Sequence, residues 1–518
     1  MLTYDSGFIA LFLPALLLVF WTLERFGAGA RIGVLLGASI LFYWLADPRH
    51  APLVASLVLV NFAIGAALTR LPARRGAMIG GGVLLNVAVL AFYKYWTSPA
   101  DLAGAEAGAG LLQTGLPLGL SFFILKQISW LVDLPAEASP IGARQLPRFA
   151  LYSVFFPQMV AGPVFRFRDA NAEYAALEAG RIDRSTVALG LSVFAMGAAK
   201  KLLIADPIGL AVDPLFAAVA DGHVPSMAEA WAASWCYLLQ LYFDFSGVSD
   251  VALGIGLMVG LRLPVNFYSP LKARTATSYF DRWHISLVIF IRTYVFAPLY
   301  QWVRRRAKGS ARSRTMIATA AATLISLSLV GWWHGARPTY VLSGFLTGLV
   351  AVGFQLAAFR RTGPARAPGR ARLAVGHAGV ILVLMLFLVL FRADSLETAG
   401  AIYRSLLGLG GEASVGRPLL PAFSMAGGFE AMFHIPSQAS PTGLMIAAAA
   451  TLIAFAAPNS VQIFDLYDHP GAPGRPGRRT RLQWRRSLIW AGVTALLLAL
   501  CLGQSTNGAL GTTIYARF

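Results

Sequence analysis

At 518 residues, 57% hydrophobic and 13% charged, the chain carries about half the charge share of a soluble domain. With a mean hydropathy of +0.63, this excludes a water-soluble globular protein. The formal net charge is +19, yet 20 of the 43 lysines and arginines fall in four short stretches between apolar runs, which excludes a nucleic-acid-binding surface and reads as a signal of membrane orientation.

In chain order, apolar runs at 8–21, 32–45, 53–68, 316–330, 375–391 and 488–502 approach the roughly 20 residues that cross a bilayer as a helix. The expectation is an all-α polytopic membrane protein of roughly 11–13 transmembrane or partly inserted helices, forming one membrane-embedded domain over residues 1–518. The first run lacks a basic leader and a clear small-residue cleavage site, so it reads as a first helix rather than a removed signal peptide. The basic stretches at 70–75, 304–314, 360–372 and 475–486 are expected in the cytoplasm, with both termini and residues 393–441 outside. The arginines set topology and meet lipid phosphates, with a lesser role open to them in attracting an anionic cytoplasmic substrate. The Gly/Pro/Arg-rich pieces 361–372 and 469–479 read as flexible cytoplasmic linkers. Cys236 and Cys501 lie far apart in apolar segments and suggest neither a disulfide framework nor a cysteine metal site. No fixed-period repeat is visible.

Ionisable groups inside apolar segments are costly and mark functional candidates. Three places carry them. In Tyr242-Phe243-Asp244-Phe245-Ser246-Gly247-Val248-Ser249-Asp250, two carboxylates and two hydroxyls follow a long apolar approach. Gly247 permits a helix break there, so Asp244 and Ser246 either cap a helix start or directly contact substrate or a catalytic histidine. In Tyr279-Phe280-Asp281-Arg282-Trp283-His284-Ile285-Ser286-Leu287, Asp281 and His284 are spaced to share one helical face, where the carboxylate influences the imidazole. The same stretch also reads as an interfacial amphipathic helix, with Trp283 in the aromatic belt and Arg282 snorkelling. Third, His334 in "VGWWHGA" lies 20 residues beyond Arg314, a helical rise of roughly 30 Å. Pro338 turns the chain there, and a helix from Tyr340 to Phe359 returns. His334 is then either a buried structural histidine at a hairpin or a site residue that the flanking glycines let a ligand approach.

Other chemistries lack their signatures: the chain has no H-E-x-x-H pair, Walker loop, C-x-x-C pair or G-x-S-x-G elbow. The remaining set is an imidazole base without an evident protein nucleophile. It suits acyl transfer to a hydroxyl, in which histidine takes the hydroxyl proton as the oxygen attacks a thioester carbonyl.

At these residues the sequence resembles the membrane-bound O-acyltransferase superfamily. It resembles in particular the bacterial branch of alginate O-acetyltransferases, peptidoglycan O-acetyltransferases and teichoic acid D-alanyl transfer proteins. The resemblance runs in order through "FYWLADPRH" (42–50), "LPLGLSFFILKQISWLVD" (116–133), "FFPQMVAGPVFRFRD" (155–169), "YFDFSGVSD" (242–250), "RWHISL" (282–287), "WWHGA" (332–336) and "FRADSLETA" (391–399). Most of the core motifs fall within 116–345. Two departures are Asp281, where relatives often carry a basic or neutral residue, and the ending "TTIYARF", with Ala516 and Arg517 where Phe and Gln are common.

The resemblance implies tilted and broken helices around a transmembrane tunnel, in a bacterial inner-membrane enzyme. The family's near-invariant histidine falls on His334 and its second histidine on His284, the two implied catalytic residues. The implied substrate contacts on the matching motifs are Gln158, Asp244, Ser246, Asp250, Arg282, Trp283 and Trp333. No bound cofactor or metal is expected. Acetyl-CoA enters from the cytoplasm as the acyl donor, and the acetyl group leaves outward to an extracytoplasmic polysaccharide through a separate SGNH-hydrolase-like partner. Two alternatives stay open: a D-alanyl or other acyl group brought by a carrier protein to an envelope polymer or lipid, and a transporter of a lipid-linked sugar with the histidines as proton relays.

Overall fold

The computed structural model describes residues 3–96, 115–134, 140–180, 183–360, 369–410, 441–474 and 480–506. Among them the regular structure is helical, and eleven helices are long and apolar enough to cross a membrane. The chain is a multi-pass membrane protein of all-α class. The apolar runs at 8–21, 32–45, 53–68, 316–330, 375–391 and 488–502 lie within the spans Phe8–Phe26, Ala28–Ala46, Ala51–Arg70, Ala311–His334, Arg370–Arg392 and Leu488–Thr506. Large apolar side chains such as Leu18, Trp44, Leu84, Leu452 and Leu488 stand exposed, as they must where lipid rather than water is the solvent. By contrast, residues 241–258 of the helix Met227–Met258 are all buried, so this stretch meets protein rather than lipid.

The chain divides into two compact units: Met1–Ala199 with Gly247–Val265 and Phe464–Phe518, and Lys200–Ser246 with Asn266–Ile463. In the first unit, Phe8, Phe12, Phe42 and Phe156 form an aromatic cluster with centroids 5.2–6.0 Å apart. Asn61 and Asn86 bond each other's side chains at 2.7 and 3.2 Å in the buried face between Ala51–Arg70 and Arg75–Ala91, the polar glue of helices packed in lipid. Arg31 is buried because it serves a helix end: its Nε and Nη2 donate to the carbonyls of Leu177 and Glu178, at 2.7 and 2.6 Å, which close Phe167–Glu178.

In the second unit, Ala311–His334 and Pro338–Arg360 form a tight hairpin. A Cβ on Gly331 would lie 2.4 Å from the Tyr340 carbonyl, and one on Gly344 would lie 2.5 Å from the Leu327 carbonyl. The glycines therefore set the closeness of the two backbones. This is the hairpin turned at Pro338 that the sequence suggests.

One local expectation fails. Met227–Met258 is one continuous helix with no break at Gly247, so Asp244 and Ser246 sit mid-helix and cap nothing. Gly247 serves close packing instead: a Cβ on Gly197, in Thr186–Ala199, would come within 2.6 Å of its carbonyl oxygen. Within 393–441, residues Leu396–Leu406 are helical, opened by Ser395 whose side chain accepts from Thr398 N–H. Residues 411–440, the linker portions 361–368 and 475–479, and the "TTIYARF" ending lie outside the described residues.

Candidate active site

The segment around His284 does not form the single helix that the spacing suggests. A short helix, Ala276–Phe280, is capped by the Thr275 side chain and ends at Asp281. The chain then turns, and His284 takes a left-handed conformation (φ 43°, ψ 50°) before Ile285–Ile291 begins. Asp281 and His284 therefore share no helical face. Asp281 is exposed and pairs with Arg292 at 2.7 Å, while His284 is buried with 2% exposure. A non-glycine residue in this region of backbone space costs energy and is held by its surroundings.

The hold comes from Asn266. Its backbone carbonyl accepts from Ile285 N–H at 3.0 Å, and its Oδ1 accepts from Ser286 N–H at 3.3 Å and Ser286 Oγ–H at 2.6 Å. Two residues on, Tyr268 N–H donates to the Arg282 carbonyl at 3.0 Å. These bonds fasten the turn to the Asn266–Tyr268 segment from both sides. His284 Nδ1 stands 3.3 Å from the same Asn266 Oδ1. Because a backbone N–H donates to that oxygen, it is an acceptor, so the proton belongs on Nδ1 and the lone pair on Nε2. Burial pushes the imidazole pKa down to about 3, which keeps the ring neutral.

Aromatic side chains enclose it. Phe245 meets the His284 ring edge-on at 4.6 Å, and Phe267 packs on both Phe245 and Trp283 at 5.0 Å. Trp283 stacks on Tyr279 at 5.8 Å, and the Arg282 guanidinium lies 5.7 Å over the Tyr268 ring. Trp283 and Arg282 thus flank His284 but point into different aromatic environments.

Asp244 and Phe245 leave their helix in different directions. Phe245 goes to His284, while the Asp244 carboxylate lies 2.7 Å from Lys201 Nζ. Lys201 also pairs with Asp206, and the three side chains are at most 9% exposed. Lys201 sits in a π-helical segment, Lys200–Ala205, directly before Asp206–Ala220; such bulges rotate side chains out of regular register. Asp244 is therefore a member of a buried ion cluster, an arrangement neither sequence-based reading of it contains. The Ser246 hydroxyl is buried and has no hydrogen-bond partner among the described residues.

His334 is the last residue of Ala311–His334 and is 7% exposed. Its ring lies 4.9 Å from Trp333, 4.9 Å edge-on from Phe391 and 6.5 Å from Tyr340. The Arg370–Arg392 helix borders both histidine environments. Val380 packs with Tyr279 beside Trp283, and Phe391 meets His334. Eleven residues of helix place those two levels about 16 Å apart along its axis.

Two expected site residues belong to the other unit. Gln158 is buried in the short helix Phe156–Met159, where its Nε2 donates to the Pro163 carbonyl at 3.2 Å and its Oε1 has no partner among the described residues. Asp250 is buried on the face that meets Thr186–Ala199, with its Cβ 2.9 Å from where a Cβ on Gly197 would stand.

Sequence reasoning missed Asn266, Lys201 and Asp206. The two charged residues carry a legible signal, being ionisable groups in an apolar run. Asn266 carries none beyond its place in "NFYSP".

An all-α multi-pass membrane protein with buried histidines held among aromatic rings fits an enzyme embedded in the membrane. Residues 120–395 match the model of the MBOAT, membrane-bound O-acyltransferase family, and the chain belongs to that family. It is an O-acyltransferase, and the transporter alternative is set aside. It is 33% identical over 419 residues to a probable alginate O-acetylase of Pseudomonas putida, covering 78% of this chain and 80% of that protein. It is 29% identical over 452 residues to a peptidoglycan O-acetyltransferase of Helicobacter pylori, covering 78% and 79%. It is 25% identical over 234 residues to a teichoic acid D-alanyltransferase of Streptococcus thermophilus, covering 45% and 55%.

Proposed function

We propose that this enzyme moves an acetyl group from cytoplasmic acetyl-CoA across a bacterial inner membrane, for O-acetylation of an extracytoplasmic polysaccharide with a separate SGNH-hydrolase-like partner. The acetyl donor is favoured over a carrier-borne D-alanyl group because the relatives matched over 78% of the chain are named for O-acetyl transfer, whereas those named for D-alanyl transfer match about half of it. The four basic loops support a cytoplasmic side that attracts an anionic donor.

His334 acts as general base. It takes the proton of an attacking hydroxyl as oxygen bonds to the thioester carbonyl carbon; the carbon–sulfur bond then breaks, and the imidazolium returns the proton to the departing thiolate. His284 positions the donor instead of sharing that proton. The observation that carries this division of labour is the roughly 16 Å spacing along the Arg370–Arg392 helix between the ring cluster beside His284 and the ring against His334. Trp283 and Arg282 line the donor approach, Trp333 the acyl group, and Ser246 offers a hydroxyl to it. Asp244, held by Lys201, supports the path.

Radiolabelled acetyl-CoA supplied to the purified protein in lipid nanodiscs tests the reading. Acetyl release to a hydroxyl acceptor should fall about 10²- to 10⁴-fold in His334→Ala. Wild-type transfer by a well-folded His334→Ala variant overturns the assignment of the base. Reversal of Arg304, Arg305 and Arg306 separates the donors: a carrier protein should lose most of its activity, whereas free acetyl-CoA should lose much less.

A further inference from the structure

The first unit contains a cavity of about 170 Å³ walled by Trp130, Phe149, Tyr152, Phe167 and Tyr174. It is amphiphilic by construction. Its lining combines Tyr174, Arg148 and Asn171, which carry polar groups, with the other aromatic rings and with Leu134 and Ile141. The Tyr174 side chain is 1% exposed, and its hydroxyl has no hydrogen-bond partner among the described residues. Burial pushes its pKa upward, opposed by the nearby Arg148, so the phenol stays protonated and is a donor in want of an acceptor.

Arg148 is held in place rather than free to swing. Its Nη1 donates to Glu178 at 3.0 Å, and its Nη2 donates to the Asn171 carbonyl and side-chain oxygen at 2.6 Å each. Glu178 offsets that one charge. The local surplus is positive, because Arg70 donates to the Ile141 carbonyl at 3.1 Å and Arg75 to the Leu134 carbonyl, bringing two more guanidinium groups to lining residues, with Arg144 exposed close by in sequence.

We propose that this cavity is a binding site for an anionic phospholipid. The start of one acyl chain lies among Trp130, Phe149 and Phe167, its ester carbonyl accepts from Tyr174 Oη–H, and its phosphodiester faces the arginines. Water alone would satisfy Tyr174 but not the apolar walls, and a zwitterionic headgroup would leave the positive surplus uncompensated. The proposal is independent of the acyl-transfer reading.

Native mass spectrometry of the delipidated full-length protein, with phosphatidylglycerol and phosphatidylethanolamine of identical chains added separately, tests it. We expect one tightly retained phosphatidylglycerol, held at least tenfold better than phosphatidylethanolamine and released about tenfold more readily from Tyr174→Phe. Because the hydroxyl has no partner to lose, the lipid-free Tm of Tyr174→Phe should equal that of wild type. A second variant, Ala170→Leu, fills the cavity from its buried wall and should abolish retention. Equal retention by wild type and Tyr174→Phe, equal binding of the two lipids, or a lipid-free Tm several degrees lower in Tyr174→Phe would overturn the proposal.

Discussion

His284 Nδ1 lies 3.3 Å from Asn266 Oδ1, the same oxygen that takes two hydrogen bonds from Ser286. One amide thus fixes both the tautomer of the histidine and the left-handed turn on which it stands. Asn266→Ala should remove the hold without touching any substrate group. The expected outcome is a fall in kcat of about 10- to 100-fold, below the range for loss of a general base itself. Because the two residues act as a unit, His284→Gln and the double variant should be equally slow. Acyl-transfer kinetics in nanodiscs check this, and additive losses would show that Asn266 acts elsewhere.

The pKa of His284, pushed down to about 3 by burial, has a consequence for pH. Its unfolded value is near 6.5, so between about pH 3 and 6.5 the unfolded chain binds more protons than the folded one. Stability from the neutral buried ring is therefore complete above pH 6.5 and declines as pH falls toward 3. Thermal unfolding in detergent across pH 4–7.5 should show a steeper acid loss in wild type than in His284→Gln. It follows that an acid limb near pH 6.5 in the transfer rate belongs to another group, and should persist in any His284 variant that keeps measurable activity.

Lys201 stands between Asp206 and Asp244 with almost no exposure. Removing the cation leaves two carboxylates facing each other in an apolar interior. Lys201→Met should destabilise the protein by about 3–5 kcal/mol, the usual cost of breaking a buried pair from one side. The triple variant Lys201→Met, Asp206→Asn, Asp244→Asn should recover most of that loss, since no uncompensated charge remains. Thermal melts of the two variants decide the matter. A Lys201→Met protein as stable as wild type would show that the two ion pairs contribute nothing to stability.

What the sequence made legible follows the physics that sequence carries. The spans are plain because twenty apolar residues have few other uses, and the hairpin after His334 was announced by Pro338 and by the length of its arms. Asp244 shows the limit. Its cost inside a membrane segment was readable, but its partner came from Lys201, 43 positions away, on a π-helical segment that no periodicity reveals. Asp281 and His284 failed differently: the three-residue spacing presumed a helix, and tertiary bonds from Asn266 imposed a left-handed turn instead. Gly247 was open to two meanings, hinge or close contact, and only the neighbouring Gly197 distinguishes them.

The same ambiguity of glycine gives a last test, at the hairpin that carries His334. A Cβ on Gly344 would stand 2.5 Å from the Leu327 carbonyl and 2.9 Å from Gly331 Cα, both backbone atoms that cannot swing aside. Gly344→Ala must therefore separate the two helices. His334 ends one of them, and Tyr340, whose ring lies 6.5 Å from the imidazole, opens the other. A shift at Gly344 is levered to the turn because both helices are continuous from the crossing to their ends. The expected result is a protein that still inserts and folds, with transfer reduced tenfold or more and a lowered Tm. Gly353→Ala, on the same helix but with open space where its Cβ would stand, should be neutral in both measurements. Equal behaviour of the two variants would show that the crossing distance is not what positions His334.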